Sequence, residues 1–110
     1  MYTSRQLAEI LLSLNPSSKK LGQNYIIDDS VIESIGELAN LNLKGLNRKI
    51  LEIGLGPGAL TQKLLQSGHQ VVGIELDSSI CNHISNVFSK EISSNHLELI
   101  EGDALKLDWP

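Results

Sequence analysis

An α/β fold built on a parallel sheet is what this sequence predicts, on three observations. Residues 50–54, 71–76 and 97–100 are short apolar runs of strand length, separated by segments with helical periodicity. A glycine-rich turn, Gly54-Leu55-Gly56-Pro57-Gly58, lies between the first run and the helix after it. Glu75 closes the second run and Asp103 follows the third, so carboxylates stand at successive strand ends. Strands that alternate with helices of about ten residues need crossover connections, and crossovers make strands parallel.

Each element has its own signal. Thr3 and Gln6 have the spacing of a capping box, and Leu7, Ile10, Leu11 and Leu14 recur at helical intervals, giving a helix over 4–14 that stops at Asn15-Pro16. Residues 15–28 read as a polar connector. A second helix starts near Asp29-Ser30, with Ser30 and Glu33 as its capping pair; Val31, Ile32, Ile35, Leu38 and Ala39 form its apolar side, and residues 40–47 its end and a turn. After the first strand comes a helix over 59–67, closed by Gly68. The helix over 79–90 has Asp77 or Ser78 as its cap and turns Ile80, Ile84, Val87 and Phe88 inward. Three such strands are expected in the order 3-2-1, which leaves strand 1 at the edge beside the ligand crevice of doubly wound sheets. No strand to complete that crevice is visible before Pro110, so the expectation is the first half of a domain. Residues 1–48 form an N-terminal helical segment and 49–110 a βαβαβ half, together one incomplete unit.

Composition narrows the class. The chain has 110 residues, 41% of them hydrophobic, which suits one domain and not two. It contains no apolar run of membrane-spanning length and no signal-peptide pattern at its N-terminus. Cys81 is the only cysteine, so it has no partner for an internal disulfide; a cytoplasmic setting is expected, with Cys81 a small apolar helix residue rather than a reactive thiol. Residues 1–49 carry six Lys/Arg against five Asp/Glu, and residues 50–110 three against eight. A chain that acidic lacks the basic footprint of a nucleic-acid binder, and such a surface would have to be local or lie elsewhere. His69, His83 and His96 have no metal-ligand spacing and read as surface or turn residues; no metal site is expected.

The glycine turn admits several ligands. Gly54, Gly56 and Ala59 satisfy G-x-G-x-x-G/A, and Glu75 lies 21 residues beyond Gly54, so a dinucleotide fingerprint is formally met. A Walker loop is excluded because no Gly-Lys-Ser/Thr follows. A pyrophosphate prefers free backbone N–H groups and no adjacent carboxylate. Here Pro57 removes one N–H, Glu52 adds a carboxylate, and the surrounding half of the chain is acidic. These features suit a cation. S-adenosylmethionine, a sulfonium with an ammonium and no phosphate, is the expected cofactor; Glu75 can accept both ribose hydroxyl protons and Asp103 an adenine amino proton.

Four segments then carry a family resemblance: 19–28 (Lys-Lys-Leu-Gly-Gln-Asn-Tyr-Ile-Ile-Asp), 51–61 (Leu-Glu-Ile-Gly-Leu-Gly-Pro-Gly-Ala-Leu-Thr), 73–77 (Gly-Ile-Glu-Leu-Asp) and 101–105 (Glu-Gly-Asp-Ala-Leu). In this order and spacing they resemble the ribosomal RNA adenine dimethyltransferases, relatives of the erythromycin-resistance methyltransferases. Leu21-Gly22-Gln23-Asn24-Tyr25 is the most specific part, with Tyr25 where the family usually has Phe. The resemblance implies a Rossmann-like S-adenosylmethionine-dependent methyltransferase fold. It places Gln23, Asn24 and Ile26 at the methionine end of the cofactor, Gly54 and Gly56 against it, Glu52 in support of the loop, Glu75 at the ribose and Asp103 at the adenine. Lys19 and Lys20 are candidates for RNA phosphates. The implied reaction is stepwise dimethylation of adenine N6 in rRNA, small-subunit rRNA first, on a ribosomal small-subunit precursor.

The family's Asn-(Leu/Ile)-Pro-(Tyr/Phe) loop, which binds the target amino group and stacks on the base, has no counterpart here: Asn15-Pro16 comes too early, and Asp108-Trp109-Pro110 follows strand 3. No catalytic residue is assigned, and this chain alone is expected to lack methyl transfer activity. Two other readings stand beside it, a non-catalytic S-adenosylmethionine-binding or assembly module and an NAD-binding half-domain. The open edge of strand 1 is an association hazard, and a homodimer through it is expected unless the N-terminal helices cover it.

Overall fold

The computed structural model describes residues 2–14, 28–43 and 49–106. Helices α1 (Ser4–Leu14) and α2 (Asp29–Leu43) come first, followed by β1 (Lys49–Ile53), α3 (Ala59–Gln66), β2 (Gln70–Glu75), α4 (Ser78–Val87), α5 (Ser89–Ser93) and β3 (Leu97–Glu101). The strands form one parallel sheet in the order β1-β2-β3, with Glu52 opposite Gly73 and Glu75 opposite Glu101. Among the described residues β1 is therefore an edge strand, as the α/β pattern predicts.

Local chemistry sets most helix ends. The Thr3 N–H donates to Gln6 Oε1 (2.8 Å) and the Gln6 N–H to Thr3 Oγ1 (3.1 Å), a complete capping box. Asp77 caps α4, accepting from the Ser79 and Ile80 N–H groups at 2.8 and 3.2 Å. Gly68 ends α3 at φ 89°, and the His69 N–H reaches back to the Leu64 carbonyl at 3.1 Å. At α2 the expected cap is corrected. Asp28, not Ser30, accepts from the Ser30 N–H at 2.9 Å and takes the Ser30 hydroxyl as well, which holds its carboxyl below the usual range.

The core lies on one face of the sheet. Val71 and Leu97 pack with Leu64 of α3 and with Ile80, Ile84 and Phe88. Leu11 of α1 joins them, and Leu7 packs with Ile32 and Ala59. The alternation of the strands puts Ile50, Glu52, Val71, Gly73, Leu97 and Leu99 on this side. On the other side Leu51 and Ile53 are 48% and 62% exposed. Helix α2 lies along α3: the Lys63 ammonium meets the Glu33 carboxylate at 2.9 Å, Gly36 faces the Lys63 stem, and Asn40 meets the His69 ring at 2.7 Å.

Two expectations about helices are revised. On α2 only Ile32 of the five expected apolar positions is buried, packed with Ala59 of α3; Ile35 and Ala39 are half-buried, and Val31 and Leu38 are exposed. The helix expected over 79–90 ends at Val87, and Phe88 separates it from α5. Phe88 is 4% exposed, and its ring fills the space beside Gly58, where a Cβ would stand 2.7 Å from Phe88 Cε2 and 3.0 Å from Ile84 Cδ1. Gly58 also has φ 99°, a left-handed conformation that costs an L-residue about 1–2 kcal/mol. We expect Gly58→Ala to destabilise the chain by about 2–4 kcal/mol in urea unfolding, strain and overpacking combined.

Candidate functional site

The site forms where β1 turns into α3. Gly54, Gly56 and Gly58 all have positive φ (75°, 55° and 99°), so three left-handed residues in five reverse the chain. The Gly54 N–H still donates to the Ile74 carbonyl at 2.8 Å, which anchors the start of the loop to β2. Among the described residues a Cβ on Gly54 would meet nothing within 4 Å, so its Cα borders open space there. Leu55 turns down onto Gly73, where a Cβ would stand 2.6 Å from the leucine side chain. Gly73 is thus a packing requirement for the loop; its position inside an apolar strand was the available signal.

Two carboxyls stand behind the loop. Glu75 is 5% exposed; its Oε1 accepts from the Gly56 N–H at 3.3 Å and its Oε2 from the Asp77 N–H at 3.0 Å. A carboxylate has about four acceptor positions, so room remains for two hydroxyl donors. Glu52 is 8% exposed, and its Oε1 accepts from the hydroxyl of the fully buried Thr61 at 2.7 Å. Burial pushes the Glu52 carboxyl from an ordinary 4.5 up to about 7; the Thr61 bond opposes this shift and the Glu75 charge adds to it. Glu52, Gly54 and Pro57 border a cavity of about 120 Å³ beside Ile32. Larger cavities lie elsewhere, one of about 440 Å³ near Lys49, Gln70 and His96, but none of them joins buried carboxyls to a backbone turn.

The remaining predicted residues divide. Asp103 follows β3, half-buried, with its Oδ1 accepting from the Leu105 N–H at 2.9 Å. Gln23, Asn24 and Ile26, like Lys19 and Lys20, lie outside the described residues. Cys81 is buried against the Glu75 carbonyl, and burial pushes its thiol up to about 11, so it stays protonated and inert. His83 corrects the sequence reading. It is 1% exposed rather than on the surface, and its Nε2 lies 2.7 Å from the Pro57 carbonyl. Helical spacing with Ile80 and Ile84 was the signal that it faces inward. Among the described residues no group of three His, Cys, Asp or Glu side chains is placed to hold a metal ion.

A parallel sheet, a glycine turn after β1 and an acidic end to β2 define a Rossmann-like methyltransferase fold. The N-terminal domain of EvdMO1 with SAH bound superposes with a TM-score of 0.64 at 19% identity, over 98% of this chain and 49% of that one, a likeness of fold. The model of the ribosomal RNA adenine dimethylase family matches residues 15–110, and the chain belongs to that family. Among its relatives are the ribosomal RNA small subunit methyltransferases A of Caulobacter vibrioides (41% identical over 90 residues) and Erythrobacter litoralis (40% over 93). The alignments take in 82% and 84% of this chain but 33% and 31% of those proteins, so it spans about a third of their length.

The Glu52 shift gives a signed prediction. A carboxyl raised in the folded state contributes stability that is complete below its unfolded value near 4.5 and is lost as pH rises through about 7. Glutamine keeps an acceptor for Thr61 without a charge to bury. We expect Glu52→Gln to exceed the parent by about 2–3 kcal/mol in urea unfolding at pH 8, and by less than about 0.5 kcal/mol at pH 4.5.

Proposed function

We propose that this chain is the cofactor-binding part of an S-adenosylmethionine-dependent rRNA adenine N6-dimethyltransferase, acting in the cytoplasm on small-subunit rRNA. The observation that carries the proposal is the glycine turn at Gly54 and Gly56 tied to the buried Glu75 at the end of β2. Family membership and the small-subunit methyltransferase relatives support the substrate. When bound, the cofactor supplies a methyl group activated by a sulfonium.

The residues present fit that group. Open space at the Gly54 Cα lets a ligand approach the backbone, and Glu75 retains acceptors for the ribose hydroxyls. Asp103 has a second carboxylate oxygen for the adenine amino group. Glu52, beneath the loop, favours a cationic neighbour, since positive charge stabilises its ionised form. Gln23, Asn24 and Ile26 take the methionine end, so that segment 1–48 supplies the cofactor's entry and 49–110 its floor. No Asn-x-Pro-aromatic sequence occurs in these residues, and no residue among them is assigned to the target base.

A second reading is a non-catalytic S-adenosylmethionine-binding or assembly module, in which the glycine turn and Glu75 hold cofactor without turnover. The complete protein engages an rRNA or ribosomal small-subunit precursor in the first reading; in the second the chain joins another polypeptide. Among the described residues β1 is an edge strand of the sheet, and this supports a homodimer through the β1 edge. No described helix is long and apolar enough to cross a membrane.

In titration calorimetry we expect the purified chain to bind S-adenosylmethionine and S-adenosylhomocysteine, to ignore NAD, and to lose at least about tenfold in affinity on Glu75→Ala. It should transfer no methyl group to small-subunit rRNA. Binding of NAD alone overturns the cofactor assignment, and turnover overturns the division of labour. Light scattering at high concentration should report a dimer; a clean monomer removes the edge-pairing proposal.

A further inference from the structure

The bond from His83 to the glycine loop is not explained by packing alone. Pro57 is buried and has no N–H, so its carbonyl is its one main-chain hydrogen-bonding group. That carbonyl meets His83 Nε2 at 2.7 Å, across 26 residues of sequence. A carbonyl only accepts, so Nε2 carries the hydrogen and Nδ1 is bare. Nδ1 is buried and has no hydrogen-bond partner among the described residues. An apolar side chain of similar size would fill the space without leaving a buried nitrogen unsatisfied. Burial holds the His83 pKa below its ordinary value, which keeps the ring neutral.

The loop needs such a restraint. Gly54, Gly56 and Gly58 are the residues with the widest conformational choice, and they surround Pro57. Among the described residues two side chains hydrogen-bond to the loop backbone: Glu75, which accepts from the Gly56 N–H at 3.3 Å, and His83, which makes the shorter contact. His83 stands on a fixed base, because Ile80 and Ile84 of the same helix are fully buried in the core.

We propose that His83 is a positioning residue for cofactor binding: its Nε2–H holds the Pro57 carbonyl and sets the glycine loop in the shape that receives the ligand. The inference rests on the reading of this loop as the S-adenosylmethionine site. It differs from the fingerprint residues in acting from α4 on the Pro57 carbonyl, where Glu75 at the end of β2 takes the Gly56 N–H.

The test is titration calorimetry of this chain with S-adenosylhomocysteine, comparing the parent with His83→Leu and His83→Gln, alongside circular dichroism and urea unfolding. Leucine fills the site without a donor; glutamine restores an N–H at similar reach. The expected result is a folded Leu variant, as stable as the parent, with affinity about five- to tenfold weaker, and a Gln variant within about threefold of the parent. A folded Leu variant with parental affinity overturns the inference while leaving the cofactor assignment standing. A parent that does not bind the ligand overturns both. Should the Leu variant not fold, nitrogen-15 NMR of the parent imidazole decides: a hydrogen on Nε2 that persists on ligand addition supports the positioning role, and a hydrogen on Nδ1 overturns it.

Discussion

Three left-handed residues in five carry the chain from β1 into α3, and the rest of the arrangement depends on that reversal. A single L-residue in this conformation costs about 1–2 kcal/mol, so only glycine makes the turn tolerable at Gly54, Gly56 and Gly58 together. Because the turn is tight, Thr61 returns over Glu52 after nine residues and closes a buried hydrogen bond. Leu55 drops onto Gly73, and Gly58 comes against Phe88 and Ile84. The loop is thereby gripped by β2 below and α4 above, while its outer backbone at Gly54 stays open.

The two buried glutamates show how differently one residue type behaves in one site. Glu75 accepts from two backbone N–H groups, which replace water around its carboxylate. Glu52 has the Thr61 hydroxyl, too little to offset burial, and it titrates near 7 instead of near 4.5. A charge count from the sequence treats Glu52 as fully negative at neutral pH. In the folded chain its ionisation responds to what lies beside it: a nearby cation favours the charged form and an anion the neutral one. The sequence-based preference for a cationic ligand survives, but its physical basis moves from fixed repulsion of phosphate to a carboxyl that adapts.

Signals confined to a few neighbouring residues were read well. The Thr3–Gln6 capping box, the Asp77 cap and the Gly68 terminator all satisfy backbone groups within one turn. Misreadings arose where a competing local partner or a distant element decided. Asp28 and Ser30 are both competent caps, and it is the Asp28 carboxylate that takes the Ser30 N–H and hydroxyl. Val31 and Leu38 look like core on a helical wheel, yet α2 turns Ile32, Glu33 and Gly36 toward α3 and leaves both exposed. Phe88 continues an apolar pattern but leaves the helix to pack beside Gly58.

Periodicity and the glycine turn were enough to determine an α/β fold and its strand order, because both rest on short-range spacing that the backbone must obey. The family was legible in four ordered segments, Leu21-Gly22-Gln23-Asn24-Tyr25 above all. Tertiary structure decided which polar groups the loop consumes. Glu52 turning inward to Thr61, Gly73 yielding its face to Leu55, and His83 reaching Pro57 join residues 9, 18 and 26 positions apart. Contacts between separate elements leave only faint marks in sequence: helical spacing turns His83 inward, but only the folded loop supplies Pro57 as its partner.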